Sequence, residues 1–184
     1  RTAEKITLPH TWNAEDGADG GNDYLRARCL YMKRFLRDEL PEGEVIYLEI
    51  PAANSYAEVF LNGKKITDHL GGYSLFRAQI TNYLKDENLL VISVDNREML
   101  HAYPSFADFT FYGGLYRGVM AIGVPNEHID LDYYGGSGIK VTPRLVGDGA
   151  EIDIEAYFVG TSDASRARYT VYDKNGRMVA SKIE

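Results

Sequence analysis

The stretch that decides the fold runs from Ala107 to Val119 and reads ADFTFYGGLYRGV. Its aromatic and β-branched residues favour extended strands, because such side chains pack well on a pleated surface. Gly113 and Gly114 interrupt the stretch, and adjacent glycines permit a sharp bend or bulge that residues with a Cβ resist. The stretch therefore predicts a chain that is re-aimed at its centre and continues as a strand from Tyr116 to Val124.

Short runs rich in valine, isoleucine, tyrosine and phenylalanine recur along the chain of 184 residues, separated by turn residues. No long stretch has the i, i+3, i+4, i+7 spacing of an amphipathic helix, and only Thr81 is expected to cap one helical turn through Lys85. The other predicted strands are Lys5 to Leu8, Cys29 to Leu36, Val45 to Ile50, Ala57 to Leu61, Lys64 to Asp68, Leu75 to Ile80, Leu89 to Asp95, Ile129 to Asp132, Gly138 to Thr142, Ala150 to Val159, Ala167 to Tyr172 and Met178 to Lys182. The sequence therefore predicts an all-β fold.

Turn signals and strand patterns indicate how these strands pack. Asn62 and Gly63 lie between two predicted strands, and both tolerate the positive φ of a type I′ hairpin turn. Residues 173–176 (DKNG) predict a second hairpin. The run from Leu89 to Val94 is apolar on both faces, which is typical of a strand covered by a second sheet. We therefore expect two stacked sheets.

The texture changes at Pro125, where a proline and a polar turn end one series of strands. We predict one domain over residues 1–127 and another over residues 128–184. A complete immunoglobulin-like sandwich needs about 100 residues, so the second domain is expected to be incomplete. An interrupted sheet has an unpaired edge, which predicts a tendency to pair with a neighbouring molecule. Whether the protein forms a homo-oligomer stays open. The chain starts without an initiator methionine and reads as processed or truncated, so a removed export signal and hence the compartment stay open.

Composition excludes several classes of function. The net charge of −7 argues against a nucleic-acid partner, because phosphate binding needs clustered lysine and arginine. No apolar run approaches the ~20 residues of a membrane span. The four histidines show no metal-ligand spacing and Cys29 is the only cysteine, so no metal site is expected and this thiol is expected to be buried and inert.

Six sequence blocks occur in a characteristic order. They are Leu8 to Asn13 (LPHTWN), Tyr31 to Phe35, Val59 to Gly63 (VFLNG), Gly71 to Tyr73 with Phe76 and Ile80-Thr81, Asn88 to Val91 with Val94 to Asn96, and Phe111 to Arg117 (FYGGLYR). Together they resemble the amino-terminal sugar-binding domain of family 2 glycoside hydrolases, the family of β-galactosidases, β-glucuronidases and β-mannosidases. The residues after His128 resemble the start of the family's second domain. The resemblance implies a jelly-roll β-sandwich followed by a partial immunoglobulin-like β-sandwich.

The resemblance also sets the functional expectation. Family members hydrolyse O-glycosidic bonds with two carboxylates about 5 to 5.5 Å apart, which come from a later (β/α)8 barrel. This chain has no such barrel, so we expect no catalytic residue in it; Glu127 follows an asparagine, as the family's acid/base does, but lies in a linker. The glycine-rich insert 16–24 is most similar to β-galactosidase-type members. The chain is thus expected to shape the pocket of an intramolecular barrel partner that acts on a β-galactoside. No cofactor is expected in the chain, while a monovalent or divalent cation in the full-length enzyme stays open.

Three residues are candidate sugar contacts. In β-galactosidases that this chain resembles, an aspartate just before the tyrosine-arginine block reaches the sugar, and Asp108 holds that position. A carboxylate accepts two hydroxyl hydrogen bonds, which suits a polyol, although Asp108 as a cap of the turn before Phe109 stays open. Asn22 and Asp23 lie in the glycine-rich insert, where sugar contact and ordinary turn chemistry are both open.

The neighbouring aromatic and basic side chains have alternative roles. Aromatic rings match the apolar face of a pyranose, but we expect most of them to fill the core or the interface with the barrel. This set is Tyr73, Tyr103, Phe106, Phe109, Phe111 and Tyr112. Arg117 is expected to be a buried ion-pair partner. For the chain as a whole, the alternatives are an autonomous carbohydrate-binding module, a β-glucuronidase- or β-mannosidase-type parent, and an adhesion sandwich.

Overall fold

The structure is a computed structural model that describes residues 3–21, 23–97, 101–102 and 107–184. These residues form β-strands and two short 3-10 helices, Arg37–Glu39 and Thr81–Tyr83, which confirms the all-β prediction. The strands are β1 (His10–Thr11), β2 (Arg28–Leu36), β3 (Val45–Ile50), β4 (Tyr56–Leu61), β5 (Lys64–Leu70), β6 (Phe76–Gln79), β7 (Glu87–Asp95), β8 (Gly114–Leu115), β9 (Met120–Val124), β10 (His128–Ile129), β11 (Ile139–Val146), β12 (Gly149–Ala156), β13 (Phe158–Val159), β14 (Arg168–Tyr172) and β15 (Met178–Ile183).

Two antiparallel sheets form the sandwich that the sequence predicts. One has the strand order β2-β7-β4-β5, and the other has the order β6-β3-β9. The short strand β1 pairs with β8, so that His10 lies opposite Leu115. This pairing brings the beginning of the chain to the stretch that carries the two central glycines.

The core lies between the two sheets. On β4, Ala57, Val59 and Leu61 are buried while the intervening residues are half-buried, as expected for a strand with one face on the core. Strand β3 is buried at all six positions. Its residues Ile46 and Ile50 face the other sheet in the same core cluster, so β3 must be covered on its second face as well.

Polar contacts cover this second face of β3. The Tyr47 hydroxyl lies 3.1 Å from His128 Nε2, and the two rings meet edge to face. Glu49 pairs with Arg77 of β6, whose side chain also reaches the backbone of residues 131–136. The connection after β10 is thereby held against the three-stranded sheet.

The predicted Asn62-Gly63 hairpin is confirmed, because φ is 54° at Asn62 and 81° at Gly63, as a type I′ turn requires. The predicted cap by Thr81 is wrong. Thr81 Oγ1 instead accepts a hydrogen bond from Ile46 N at 2.8 Å, and the 3-10 turn has no side-chain cap. Thr81 therefore joins the turn to β3.

Three predicted strands are absent or shortened in the structure, and a fourth, Ala150 to Val159, is divided into β12 and β13. Lys5 to Leu8 is not a strand, since residues 5–7 are exposed and the first pairing occurs at β1. The predicted strand Tyr116 to Val124 begins only at Met120, because Gly118 has φ of 88° in a turn. Ile129 to Asp132 is extended only as β10, because Arg77 takes the Leu131 carbonyl.

Residues 128–184 contain three antiparallel strand pairs, β10-β13, β11-β12 and β14-β15. In the β11-β12 hairpin, one face is apolar, with Val141 opposite Ile154, and the other carries ion pairs such as Lys140 with Glu155. The apolar face is largely exposed, with 91% of Leu145 accessible. The division of the chain at residue 127 stays a prediction.

Candidate functional site

Asp108 lies on the irregular segment 107–113, which leads into β8. Its side chain is exposed, and its carboxylate has no hydrogen-bond partner among the described residues. A cap of the turn before Phe109 is therefore not seen within the described part of the chain. A carboxylate without a protein partner keeps its full acceptor capacity for a ligand.

Asp23 is also exposed and lies directly before Tyr24, whereas Asn22 lies outside the described residues. Tyr24 is buried, and its hydroxyl accepts a hydrogen bond from the backbone amide of Phe111 at 3.2 Å. This bond joins the segment that carries Asp23 to the segment that carries Asp108. We call the exposed surface formed by these two aspartates and their segments the rim.

Two further hydrogen bonds fix segment 107–113 to the loop of residues 13–25. Thr110 Oγ1 donates to the Gly17 carbonyl at 2.7 Å. The Gly113 amide donates to Asn13 Oδ1 at 2.8 Å. The backbone on the carboxyl side of Asp108 is thus held at three points, so the exposed carboxylate projects from an anchored segment.

Asn13 and Asn96 form a buried amide network behind the rim. Asn13 is fully buried, and its Oδ1 also accepts a hydrogen bond from Asn96 Nδ2 at 3.2 Å. Asn13 Nδ2 donates to the Leu25 carbonyl at 3.0 Å, and Asn96 Oδ1 accepts from the Ala27 amide at 2.8 Å. Buried amides need such partners, because an unsatisfied group costs about 1–3 kcal/mol.

Asp16 closes the base of the 13–25 loop. Its Oδ2 accepts a hydrogen bond from the Leu25 amide at 2.8 Å, and its Oδ1 accepts from Asn13 Nδ2 at 3.1 Å. The carboxylate therefore ties the two ends of the loop to each other and to the buried network.

The two central glycines permit a close approach of the chain to aromatic residues. A Cβ at Gly113 would overlap the ring of Trp12, and a Cβ at Gly114 would overlap the Tyr31 hydroxyl. Gly114 also has φ of 118°, which side chains disfavour. The Tyr31 hydroxyl lies 2.9 Å from His10 Nδ1, and burial raises the pKa of Tyr31 to about 12. The expected bend is present, and its cause is packing.

The aromatic side chains near the rim divide between core and surface. Phe111 is buried, and its ring lies 4.9 Å from that of Phe109, which is 51% exposed. Tyr73 and Tyr112 are also exposed, at 42% and 39%. Tyr103 and Phe106 lie outside the described residues. Of the described set only Phe111 fills the core, so the rim has exposed rings beside its carboxylates.

The expected role of Arg117 is wrong. Arg117 is exposed, it makes no ion pair among the described residues, and it donates to the Tyr73 carbonyl at 3.3 Å. Its guanidinium lies 5.6 Å from the ring centre of Tyr116. The Tyr116 hydroxyl donates to the Gly72 carbonyl. These contacts attach the turn after β8 to the 71–73 segment.

The buried charge near the site is Asp95, at the end of β7. Its carboxylate is 1% exposed and accepts two guanidinium contacts from Arg97, at 2.6 and 2.9 Å, with Arg28 Nε at 3.4 Å. Arg97 holds the pKa of Asp95 below its usual range. The ion pair between Asp95 and Arg97 fixes the end of β7. Asn96, the next residue, belongs to the buried amide network.

Comparison with known proteins places this geometry in a family. No protein-family profile matches the chain. A β-glucuronidase of Bacteroides fragilis is 36% identical over 145 residues, which are 77% of this chain and 21% of that protein. A β-galactosidase of Thermoanaerobacter pseudethanolicus is 31% identical over an alignment that covers 96% of this chain and 23% of the β-galactosidase. The crystal structure of an FMN-binding β-glucuronidase from F. prausnitzii L2-6 superposes on this chain with a TM-score of 0.90 and 47% identity. The match covers all of this chain and 29% of the β-glucuronidase chain.

The chain belongs to glycoside hydrolase family 2. It spans about a fifth of the length of the curated relatives it matches. This share is consistent with the accessory amino-terminal region of a family 2 enzyme without its catalytic barrel. Glu127 is exposed at the bend between β9 and β10.

The described part of this family 2 chain holds no group of three or more histidine, cysteine, aspartate or glutamate side chains suited to a metal ion. The cation left open for the full-length enzyme stays a prediction. Within the described residues, none of the helices has the length and apolar character needed to cross a bilayer.

Sequence reasoning named Asp108 and Asp23 but missed the groups that position them. Asn13, Asp16 and Asn96 support the rim from below, and none was a candidate. A signal existed, since Asn13 and Asn96 are each the last residue of a block of the family 2 pattern. Their pairing depends on a contact 83 residues apart along the chain, which no local pattern encodes.

Proposed function

We propose that the whole protein hydrolyses β-glycosides and that this chain places Asp108 at the sugar-binding end of its active site. The observation that carries the proposal is the contrast between an exposed, unpartnered carboxylate and an anchored backbone. Binding groups held in place before the ligand arrives lose little entropy on binding. Asp23 is proposed as a second contact, because Tyr24 joins its segment to that of Asp108. Asn22 is proposed with it on sequence grounds alone.

Two substrate classes fit the comparisons. The glycine-rich insert 16–24 favours a β-galactoside, and a β-galactosidase is among the relatives. The 47% identity to a β-glucuronidase supports a β-glucuronide equally well. We propose that the substrate is one of these two, and parallel assays of the full-length protein with the two nitrophenyl glycosides decide between them.

The role of Asp108 is tested by Asp108→Asn in the full-length protein. A lost charge-assisted hydrogen bond of about 1.5–3 kcal/mol should lower kcat/KM by about tenfold to a hundredfold. The matched control is Asp148→Asn, an exposed aspartate in the turn between β11 and β12. An Asp108→Asn enzyme with unchanged kcat/KM would refute the proposal.

The proposed partner is an intramolecular barrel that carries the two catalytic carboxylates. The 184-residue chain by itself is therefore expected to release no nitrophenol from either glycoside. The gene beyond the codon for Glu184 is expected to encode the barrel with two catalytic glutamates. A reading frame without them, or turnover by the chain itself, contradicts this assignment.

A binding module is the second candidate, because Phe109 and Tyr112 of the rim are exposed, as is Tyr73. Such rings stack on sugars in binding proteins without help from another domain. Titration of a β-galactoside into the chain separates the two roles. The accessory role predicts no ligand-induced change at Asp23 and Asp108, whereas a module would show one.

We also propose the domain division at residues 127 and 128. Its support is that the described strands from β10 onward pair with one another and not with strands before Pro125. Limited proteolysis between residues 125 and 128 should release two species. Cleavage only at other positions would argue against this boundary.

A further inference from the structure

A groove of about 400 Å³ opens at one edge of the sandwich. Edge strand β5 contributes Thr67, and edge strand β6 contributes Arg77 and Gln79. Tyr83 of the second 3-10 helix and Asp132 also line the groove, together with the apolar residues Ile66 and Ala78. The volume lies within the range of about 300–1,000 Å³ typical of small-molecule sites, and the groove shares no residue with the rim.

Arg77 gives the groove a fixed wall. Its Nε donates to Glu49 at 2.6 Å, and its Nη1 donates to the carbonyls of Leu131 and Gly136, each at 2.9 Å. The Arg77 side chain is only 12% exposed, so the guanidinium is held rather than mobile. The same bonds hold the connection that carries Asp132 beside β6.

Asp132 offers acceptor capacity to the groove. Asp132 is exposed and its side chain has no hydrogen-bond partner among the described residues, although its backbone amide donates to Asp130 Oδ1 at 2.8 Å. Partial desolvation and the neighbouring charge of Asp130 raise the pKa of Asp132, while Arg77 opposes them. An exposed carboxylate without a protein partner keeps its acceptor capacity for hydroxyl donors.

We propose that this groove binds a neutral sugar ring, with Asp132 and Gln79 bonding hydroxyl groups and Tyr83 packing on the ring. The wall combines an acceptor-only carboxylate, an amide that both donates and accepts, and the Thr67 hydroxyl, which suits a ligand made of hydroxyl groups. An anion is disfavoured, because Glu49 already neutralises Arg77 and the two aspartates, 130 and 132, add negative charge. The described residues hold no metal-binding group here, which disfavours a cation as ligand.

The test titrates methyl β-D-galactopyranoside into the isotopically labelled 184-residue chain and follows backbone amide resonances. Shifts are expected at Gln79, Tyr83 and Asp132, and not at Asp108. Asp132→Ala should weaken binding by about tenfold or more, as expected for a lost charged hydrogen bond. Gln79→Ala, at an exposed position, should weaken it less and provides the test if Asp132→Ala fails to fold.

Asp148→Ala is the matched control, since it removes an exposed carboxylate outside the groove and should leave the affinity unchanged. Methyl β-D-glucuronide should bind at least about tenfold more weakly than the galactoside, because the negative charge of Asp132, with Asp130 close to it, repels its carboxylate. The proposal is overturned if no amide resonance of the groove shifts. It is also overturned if the Asp132→Ala and Gln79→Ala variants bind the galactoside as tightly as the unaltered chain does, or if the glucuronide binds as tightly as the galactoside. Each result is independent of activity in the full-length protein, so it leaves the role of Asp108 to its own test.

Discussion

The Gly113 amide donates a 2.8 Å hydrogen bond to the side-chain oxygen of Asn13, which lies 100 residues earlier in the chain. The bond is buried and joins the loop of residues 13–25 to the segment that carries Asp108. It makes the rim dependent on the beginning of the chain.

Asn13→Ala should lower the free energy of unfolding by about 3 kcal/mol. The change leaves the buried Gly113 amide without its acceptor and removes one of the three acceptors of Asn96 Nδ2, and an unsatisfied buried group costs about 1–3 kcal/mol. Urea denaturation measures the effect. Asn82→Ala, at an exposed position with no side-chain hydrogen bond within the described chain, is the control and should change stability by less than about 0.5 kcal/mol. Equal effects of both variants would show that the buried network adds nothing.

Gly113→Ala should destabilise the chain by about 2 kcal/mol or more, because the new methyl group overlaps the Trp12 ring and overpacking costs about 1–3 kcal/mol. Gly149→Ala is the matched control, since its nearest non-neighbouring atom would lie 3.7 Å away and its φ is not positive. Thermal unfolding followed by circular dichroism compares the two. A wild-type midpoint in Gly113→Ala would contradict the packing argument.

Asp95→Asn should cost about 2 kcal/mol at neutral pH, because the buried carboxylate loses its charge-assisted bonds to Arg97 and Arg28. The folded-state pKa of Asp95 is lowered, so its contribution is fully present above the unfolded value of about 3.9 and is lost as the pH falls through the folded value. The variant should therefore lose less stability than wild type between neutral pH and about pH 3. Asp148→Asn should keep the wild-type profile, and a wild-type profile in Asp95→Asn would refute the assignment.

His69 should make the chain less stable in mild acid. Its ring stacks on Phe76 with centroids 4.4 Å apart, and burial lowers its pKa. The contribution is present above the unfolded pKa of about 6.5 and is lost as the pH falls through the lowered folded value. His69→Phe keeps an apolar ring there and should reduce the loss of unfolding free energy between about pH 7.5 and about pH 5. His101→Phe, at an exposed position, should not reduce it.

The strands were predictable where their own residues pack on both sides or alternate. Val45–Ile50 was predicted to the residue. The largely apolar run VIYLEI lies between turn-forming residues, which fix where the strand begins and ends. Lys5 to Leu8 failed although its residues alternate, since no strand within the described residues pairs with it. Periodicity reports what a segment can bury, but the partner decides whether it does.

The candidate site was predictable only in part. Asp108 could be named because it precedes a family motif, not because its own environment is visible in the sequence. The hydroxyl of Tyr24 and the amide of Asn13 that support its segment come from 87 and 100 residues away. Arg117 shows the same limit, since a charged residue in an aromatic block was expected inside and lies outside.

The closure of the 13–25 loop by Asp16 has a practical consequence for protein engineering. The bonds that position the rim all lie at residues 13, 16, 17, 24 and 25, whereas a Cβ at Gly20 would meet nothing within 4 Å. Loop tips made of small polar residues tolerate insertions best. A peptide tag or a spectroscopic probe inserted after Gly20 should leave the hydrogen bonds of Asp16 intact. It would report on the proposed sugar contacts without disturbing the bonds that hold their segments.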